Sequence, residues 1–189
     1  MIRKLLLIFV MGLVIVSGCA KFRFRKEIGQ AKSSIRDVEN SRGLRPAAVF
    51  ISSDTALASS GALKESEEVT VLSSDGKAGI SGRVVLNRRE FSKIKTDSPV
   101  EHFVPFVKLD ELKQGESVFA YYSENKDFVL TTLQGIDNLN GKYVLDIKGG
   151  FPVGTPVFTT EGKFVGFVST VDVLDDEPSS SIFYLERDF

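Results

Sequence analysis

The chain carries one cysteine, Cys19, and one histidine, His102, and these two counts bound the chemistry it can perform. A metal site needs a cluster of nitrogen, sulfur or carboxylate ligands, and one His with one Cys offers none. No cofactor is indicated either. Nucleophilic catalysis needs a hydroxyl or thiol with a positioned base in hydrogen-bond reach. Thr155 is a candidate hydroxyl, and so are Ser59 and Ser60 if a lysine serves them, but no residue pattern nominates the base. His102 lies between apolar neighbours in Val100-Glu101-His102-Phe103-Val104-Pro105, a setting expected of a structural histidine. Cys19 has a different context. It follows Arg3-Lys4 and an apolar run from Leu5 to Val16, broken only by Gly12. A short positive end before such a run is the signature of an export leader. The run falls short of the roughly 20 apolar residues that a membrane span needs. With one thiol, the exported chain can form no internal disulfide.

The residues Val16-Ser17-Gly18-Cys19 resemble the lipobox of bacterial lipoproteins: an aliphatic residue, two small residues, then the cysteine that receives the lipid. The resemblance implies that residues 1–18 are a signal peptide and that Cys19 becomes an acylated N-terminus. The membrane-lipid partner is then palmitate-type chains on Cys19. Two or more such chains anchor a protein stably, whereas one holds it marginally. Ala20, in place of an aspartate, implies the outer membrane if the host has two membranes.

Loss of the leader leaves 22 basic and 25 acidic residues, a formal charge of −3. That balance excludes nucleic acid as a partner, which demands a strong basic surplus. The local exception is Lys21-Phe22-Arg23-Phe24-Arg25-Lys26. Two readings of it stand open, a surface for anionic headgroups and an ordinary solvated tether.

These residues must be positioned by the remaining roughly 170, enough for one domain with a genuine core. The absence of Trp and the wealth of Phe and Val favour sheet over helix. Residues 19–45 are polar and read as anchor and tether, with 34–39 open as a first strand. From residue 46 onward, short apolar runs alternate with turn signals. Strands are predicted at 47–52, 69–72, 80–86, 118–122, 128–133, 143–147, 157–159, 164–171 and 182–185. Asp75-Gly76, Asn140-Gly141 and Glu161-Gly162 suit tight hairpins. Residues 110–113 are predicted as one helical turn. No long window has helical periodicity and no internal repeat stands out, so the fold class is all-β, a barrel or sandwich.

Three stretches, in order, resemble the trypsin-like fold in its bacterial HtrA/Deg-type branch. The first runs from Phe50 through Leu57-Ala58-Ser59-Ser60-Gly61-Ala62-Leu63 to Glu68-Val69-Thr70-Val71-Leu72-Ser73-Ser74-Asp75-Gly76. The second is Leu112-Lys113-Gln114-Gly115-Glu116-Ser117-Val118-Phe119-Ala120. The third is Phe151-Pro152-Val153-Gly154-Thr155-Pro156-Val157-Phe158 with Gly162-Lys163-Phe164-Val165-Gly166-Phe167, and Ile182-Phe183-Tyr184-Leu185 resembles the closing strand. Together they imply a trypsin-like double β-barrel over residues 46–189.

The resemblance also places the catalytic positions, and there the chain departs from it. A Ser-His-Asp triad needs an attacking hydroxyl, an imidazole base and a carboxylate that orients it. The nucleophile position is Val153, the base position is Gly61, and the acid position falls near Glu90. Small shifts of alignment recover nothing, because no serine lies between Ser123 and Ser169. The oxyanion turn would hold Pro152, which has no N–H to donate. The expectation is a probable-protease fold without protease chemistry: a pseudoprotease, tethered in the envelope, that binds an extended peptide or envelope protein. In the family such peptides pair with the strand matching Phe164–Thr170 by β-augmentation. The candidate groove is Phe151, Val153, Gly154, Thr155, Phe167, Val168 and Ser169, with the bulk of Phe151 and Val153 able to plug it. The alternatives are a structural or assembly lipoprotein with no groove, and a peptidase with unconventional residues. The chain ends at Phe189, so the PDZ domain of many HtrA-type relatives is not expected.

Overall fold

The computed structural model describes residues 23–59, 63–73, 76, 79–88, 91–139, 142–174 and 177–184. Its first element is helix α1, Arg25–Ser34. Twelve strands follow. The first six are β1 Ile35–Glu39, β2 Ala47–Ser52, β3 Thr55–Ser59, β4 Glu68–Leu72, β5 Gly79–Asn87 and β6 Phe91–Thr96. The second six are β7 Ser117–Tyr122, β8 Asp127–Leu139, β9 Lys142–Lys148, β10 Pro156–Thr159, β11 Phe164–Leu174 and β12 Glu177–Tyr184. A 3-10 turn at Leu109–Glu111 stands just ahead of the helical turn predicted at 110–113.

The strands close into two antiparallel barrels, β1-β2-β3-β6-β5-β4 and β7-β8-β9-β12-β11-β10. The path is the same in both, a duplication of topology with no matching repeat in the sequence. Pairing of β1 with β4 through Val38↔Val71 closes the first barrel. Pairing of β10 with β7 through Val157↔Ala120 closes the second. Closure gives each strand a neighbour on both sides along at least part of its length.

Inside the first barrel, large and small side chains alternate. Ala48 lies opposite Ala58 and Phe50 opposite Ala56, and all four are buried with Val38, Val84 and Ile94. The second barrel is filled by Val118, Leu133, Leu145, Ile147, Val165 and Ile182 among others. A third cluster is a seam between the barrels. The first barrel gives it Ile35, Val49, Leu57 and Phe91, and the second gives Phe119, Phe128, Phe158, Phe164 and Phe167. The aromatic rings meet edge to face or tilted, with centroids 5.0 Å apart for Phe164–Phe167 and 5.7 Å for Phe128–Phe158. Such pairs contribute beyond the area they bury. The connecting segment stitches the same seam: Val104 N–H donates to Phe50 O at 3.0 Å, and Val107 N–H to Phe164 O at 2.9 Å.

The stretch 26–45, read from sequence as a polar tether, is part of this body. Strand β1 is a stave of the first barrel, paired with β2 and β4. Helix α1 lies over the seam, with Ala31 buried and Ile28 and Phe24 packed against it. Its sequence is too polar and too short to signal a helix alone; tertiary packing of one narrow face stabilises it. At its N-terminal end the chain meets the β10–β11 turn. Gly162 there has φ +81°, and a Cβ would stand 3.1 Å from Glu27 O, so no larger residue fits without a shift. The Asp75-Gly76 hairpin keeps only Gly76 among described residues, at φ +70°. Asn140-Gly141 lies outside them.

Candidate functional site

A cleft of about 320 Å³ opens between the barrels. Asp37, Arg45, Pro46, Ala47 and Ser59 line it from the first barrel's side, and Ser123 with Pro152–Pro156 from the second. The residues of the predicted nucleophile turn are therefore brought to an inter-barrel cleft. Val153, the expected nucleophile position, is 62 % exposed there. Gly61 and Glu90, the expected base and acid positions, lie outside the described residues, as do Ser60 and the lipidation candidate Cys19.

The turn itself is held by its own backbone. Phe151 N–H donates to Ser180 Oγ at 2.8 Å, and Ser180 Oγ donates onward to Gly149 O at 2.8 Å. Gly154 N–H donates to Val168 O at 2.8 Å and Thr155 N–H to Pro152 O at 3.0 Å. Ser180 is fully buried, and its bond from Phe151 satisfies a buried N–H. Gly154 has φ +90°, and a Cβ on it would lie 3.3 Å from Ser59 across the cleft. Backbone conformation and the approach of the other barrel both select glycine there.

The candidate groove residues divide by burial. Phe151, Thr155, Phe167 and Val168 are 6 %, 6 %, 4 % and 1 % exposed. The side chains of Phe151, Phe167 and Val168 belong to the core. Phe151 does not plug the cleft as its bulk suggested: it turns inward against Tyr122, ring centroids 6.1 Å apart. Val153 is exposed, and Gly154 and Ser169 are half-buried. The strand expected to offer an open edge, Phe164–Thr170, is covered along its first half. On one side β10 pairs with it through Pro156↔Phe167 and Val157↔Gly166. On the other, Phe164 N–H donates to Pro105 O at 2.9 Å and accepts, through its carbonyl, from Val107. Val168 exchanges bonds with Gly154 and Thr155. Beyond Val168, β12 covers one side of β11, and no described strand pairs with the other. The remaining edge is thus Ser169-Thr170-Val171, with Ser169 Oγ tied to Ser181 O at 2.9 Å.

Of the hydroxyls considered as alternative nucleophiles, Thr155 and Ser59 are described and Ser60 is not. Among the described residues, no hydrogen bond joins Thr155 Oγ1 or Ser59 Oγ to a lysine, a histidine or a carboxylate. His102 is exposed, not structural in the core sense. It lines a separate crevice of about 310 Å³ with Arg36, Ile80 and Val100 on the first barrel. Asp37, at the cleft wall, sits close enough to Tyr121 to matter. Burial, and then the Asp37 charge, push the Tyr121 phenol above its ordinary 10. No three potential metal ligands come together among the described residues, and no described helix is long and apolar enough to cross a membrane.

Sequence reasoning named Ser59, Val153, Gly154 and Thr155 but not Asp37, Arg45, Ser123 or Ser180. Asp37 and Arg45 were assigned to the tether. Ser180 sits in a polar Ser179-Ser180-Ser181 run, where nothing local marks the one side chain that anchors a turn 29 residues upstream.

No family model matches the sequence, and no curated protein matches it. The fold is nonetheless that of known structures. The Rv3671c protease in its inactive form, a protease known from M. tuberculosis, superposes with a TM-score of 0.67 at 16 % identity over 84 % of this chain and 87 % of that one. The HtrA-type protease AlgW with tripeptide gives a TM-score of 0.67 at 11 % identity, over 85 % of this chain. The serine endoprotease from Yersinia pestis gives 0.64 at 13 % identity, over 83 % of this chain. The chain spans 59 % and 61 % of the length of the latter two. The fold is the trypsin-like double β-barrel of these serine proteases, as the sequence resemblance implied.

Proposed function

We propose that this chain is a catalytically inactive, protease-like domain, tethered in the bacterial envelope through acylated Cys19, that binds an extended peptide at the inter-barrel cleft. The observation that carries the reading is the turn 151–155. Val153 presents an exposed side chain without a reactive atom, and the Phe151 N–H is committed to Ser180. Stabilising a developing oxyanion takes N–H groups aimed at the reacting oxygen, and this turn directs the Phe151 donor inward. Peptide binding asks less of the site. A strand-like ligand needs only free N–H and C=O groups along an edge, and Ser169-Thr170-Val171, which follows the Val168 bonded to Gly154 and Thr155, is the stretch of β11 that β10 leaves uncovered.

The test is backbone-amide NMR of the soluble domain titrated with envelope-derived peptides. Shifts confined to residues 169–171 and 152–155 are expected; none at millimolar peptide would reject the binding role. Purified protein should also leave casein and a fluorogenic peptide library intact. Turnover that co-purifies with the domain and disappears with Thr155→Ala would reject inactivity. A second reading, a structural or assembly lipoprotein with no peptide site, draws on the coverage of β11 on both sides through Val168. A silent NMR titration selects it.

A further inference from the structure

Helix α1 separates its side chains by charge. The inward arc carries Ile28, Ala31 and Ser34, with Glu27 half-buried beside them. The outward arc carries Arg25, Lys26 and Lys32 with Gly29 and Gln30, all exposed, and Arg23 precedes it. None of the four cations is paired with an acid among the described residues, although elsewhere basic side chains are so engaged, as Lys95 is with Asp54 and Lys163 with Glu111 and Glu161. The helix's one acid therefore faces the body and its cations face out, in a chain whose mature charge is negative.

The neighbouring aromatic ring is not available to lipid. Phe24 packs edge to face on Phe119 with centroids 5.5 Å apart, and Arg23 lies over its outer face at 5.3 Å. Phe24 is thus a half-buried ring, and Arg23, Arg25 and Lys26 around it form an exposed cationic surface. We infer that this outward face of α1 docks electrostatically on an anionic lipid surface, without insertion, and so holds the domain in one orientation on its membrane. The inference rests on acylation of Cys19 for its geometry. Arg23 is four residue steps beyond Cys19, a reach of at most about 14 Å. That is comparable with the roughly 8–10 Å over which a charged surface is felt at physiological salt. A chain anchored at Cys19 keeps these cations where an anionic leaflet attracts them.

The test uses the mature chain with its Cys19 thiol coupled to a maleimide lipid in vesicles, so biological acylation is not required. Acetylation rates of Lys26 and Lys32 are read by mass spectrometry on vesicles rich in phosphatidylglycerol and on pure phosphatidylcholine, with exposed Lys126 as reference. Both lysines should react about fivefold or more slowly on the anionic surface alone, as an attraction of that size per charge implies. Lys126 should not change. The protection should fade in high salt and weaken in Arg23→Gln and Arg25→Gln. Equal rates on the two surfaces, or protection that persists in high salt, overturn the proposal. Metabolic palmitate labelling of wild type and Cys19→Ser decides the anchor separately: its failure would remove the natural tether and leave the vesicle result standing.

Discussion

The two barrels share one strand path, yet they meet at the cleft with unlike edges. The second barrel brings a turn whose backbone is fastened from behind: Phe151 enters the core, Ser180 bonds Phe151 N–H and Gly149 O at its leading end, and Gly154 abuts the opposite wall. The first barrel brings side chains instead, Asp37, Arg45 and Ser59, on strands or connections whose interior faces are filled by alanine and valine. A shared topology therefore fixes where a cleft forms and not what chemistry it holds. The contrast between a fastened turn and a polar wall can be broken or sharpened one residue at a time.

The largest effect is expected from Phe151→Ala. If the ring is a core pillar, urea denaturation should show a loss of about 3–5 kcal/mol. If it were a plug at the cleft, stability would hardly move and peptide binding would rise. Ser180→Ala should cost less, about 1–3 kcal/mol, because it strands a buried N–H and a carbonyl. The same melt measured by near-ultraviolet circular dichroism would register the turn loosening. On the first barrel, Asp54 gives a pH signature. Lys95, then Thr55 and Ser52, donate to its carboxylate and lower its pKa from the ordinary 3.8 to about 2. A depressed folded-state value means stability that is present above 3.8 and lost as pH falls towards about 2. Wild type should therefore lose stability across that window more steeply than Asp54→Asn, and parallel slopes would reject the assignment. Val153→Ser is the smallest change. At an exposed site it should alter stability by no more than about 0.5 kcal/mol. It should also confer no hydrolysis of casein, since the hydroxyl gains no base and Phe151 N–H stays with Ser180.

What was legible in the sequence followed the strength of the local signal. Strand β2, with Ala47-Ala48-Val49-Phe50-Ile51, and the β10–β11 hairpin around Glu161-Gly162 announce themselves through apolar runs and turn chemistry. Strand β3 does not, because Thr55-Ala56-Leu57-Ala58-Ser59 is rich in alanine, a weak strand former. It is buried on both faces, Ala56 and Ala58 towards the barrel and Leu57 towards the seam. Strand β6 is disguised by Lys93 and Lys95, and α1 by its polarity. At the site, Val153 was reachable only through the family resemblance carried by Pro156-Val157-Phe158 and Gly162-Lys163-Phe164-Val165-Gly166. The inward turn of Phe151 was not reachable, because it depends on Tyr122 and Ser180, which only the closed barrel brings near.

The aromatic seam also sets an order in time. As the chain is made from its N-terminus, residues 35–96 can close the first barrel while Val49, Leu57 and Phe91 still lack their cover. That cover, Phe119 to Phe167, arrives only after roughly 70 more residues, several seconds at ordinary rates of synthesis. Until then the half-made protein presents a contiguous apolar face, the kind of surface that drives aggregation. The growing chain must therefore be kept unfolded, or that face shielded, until the second half is out.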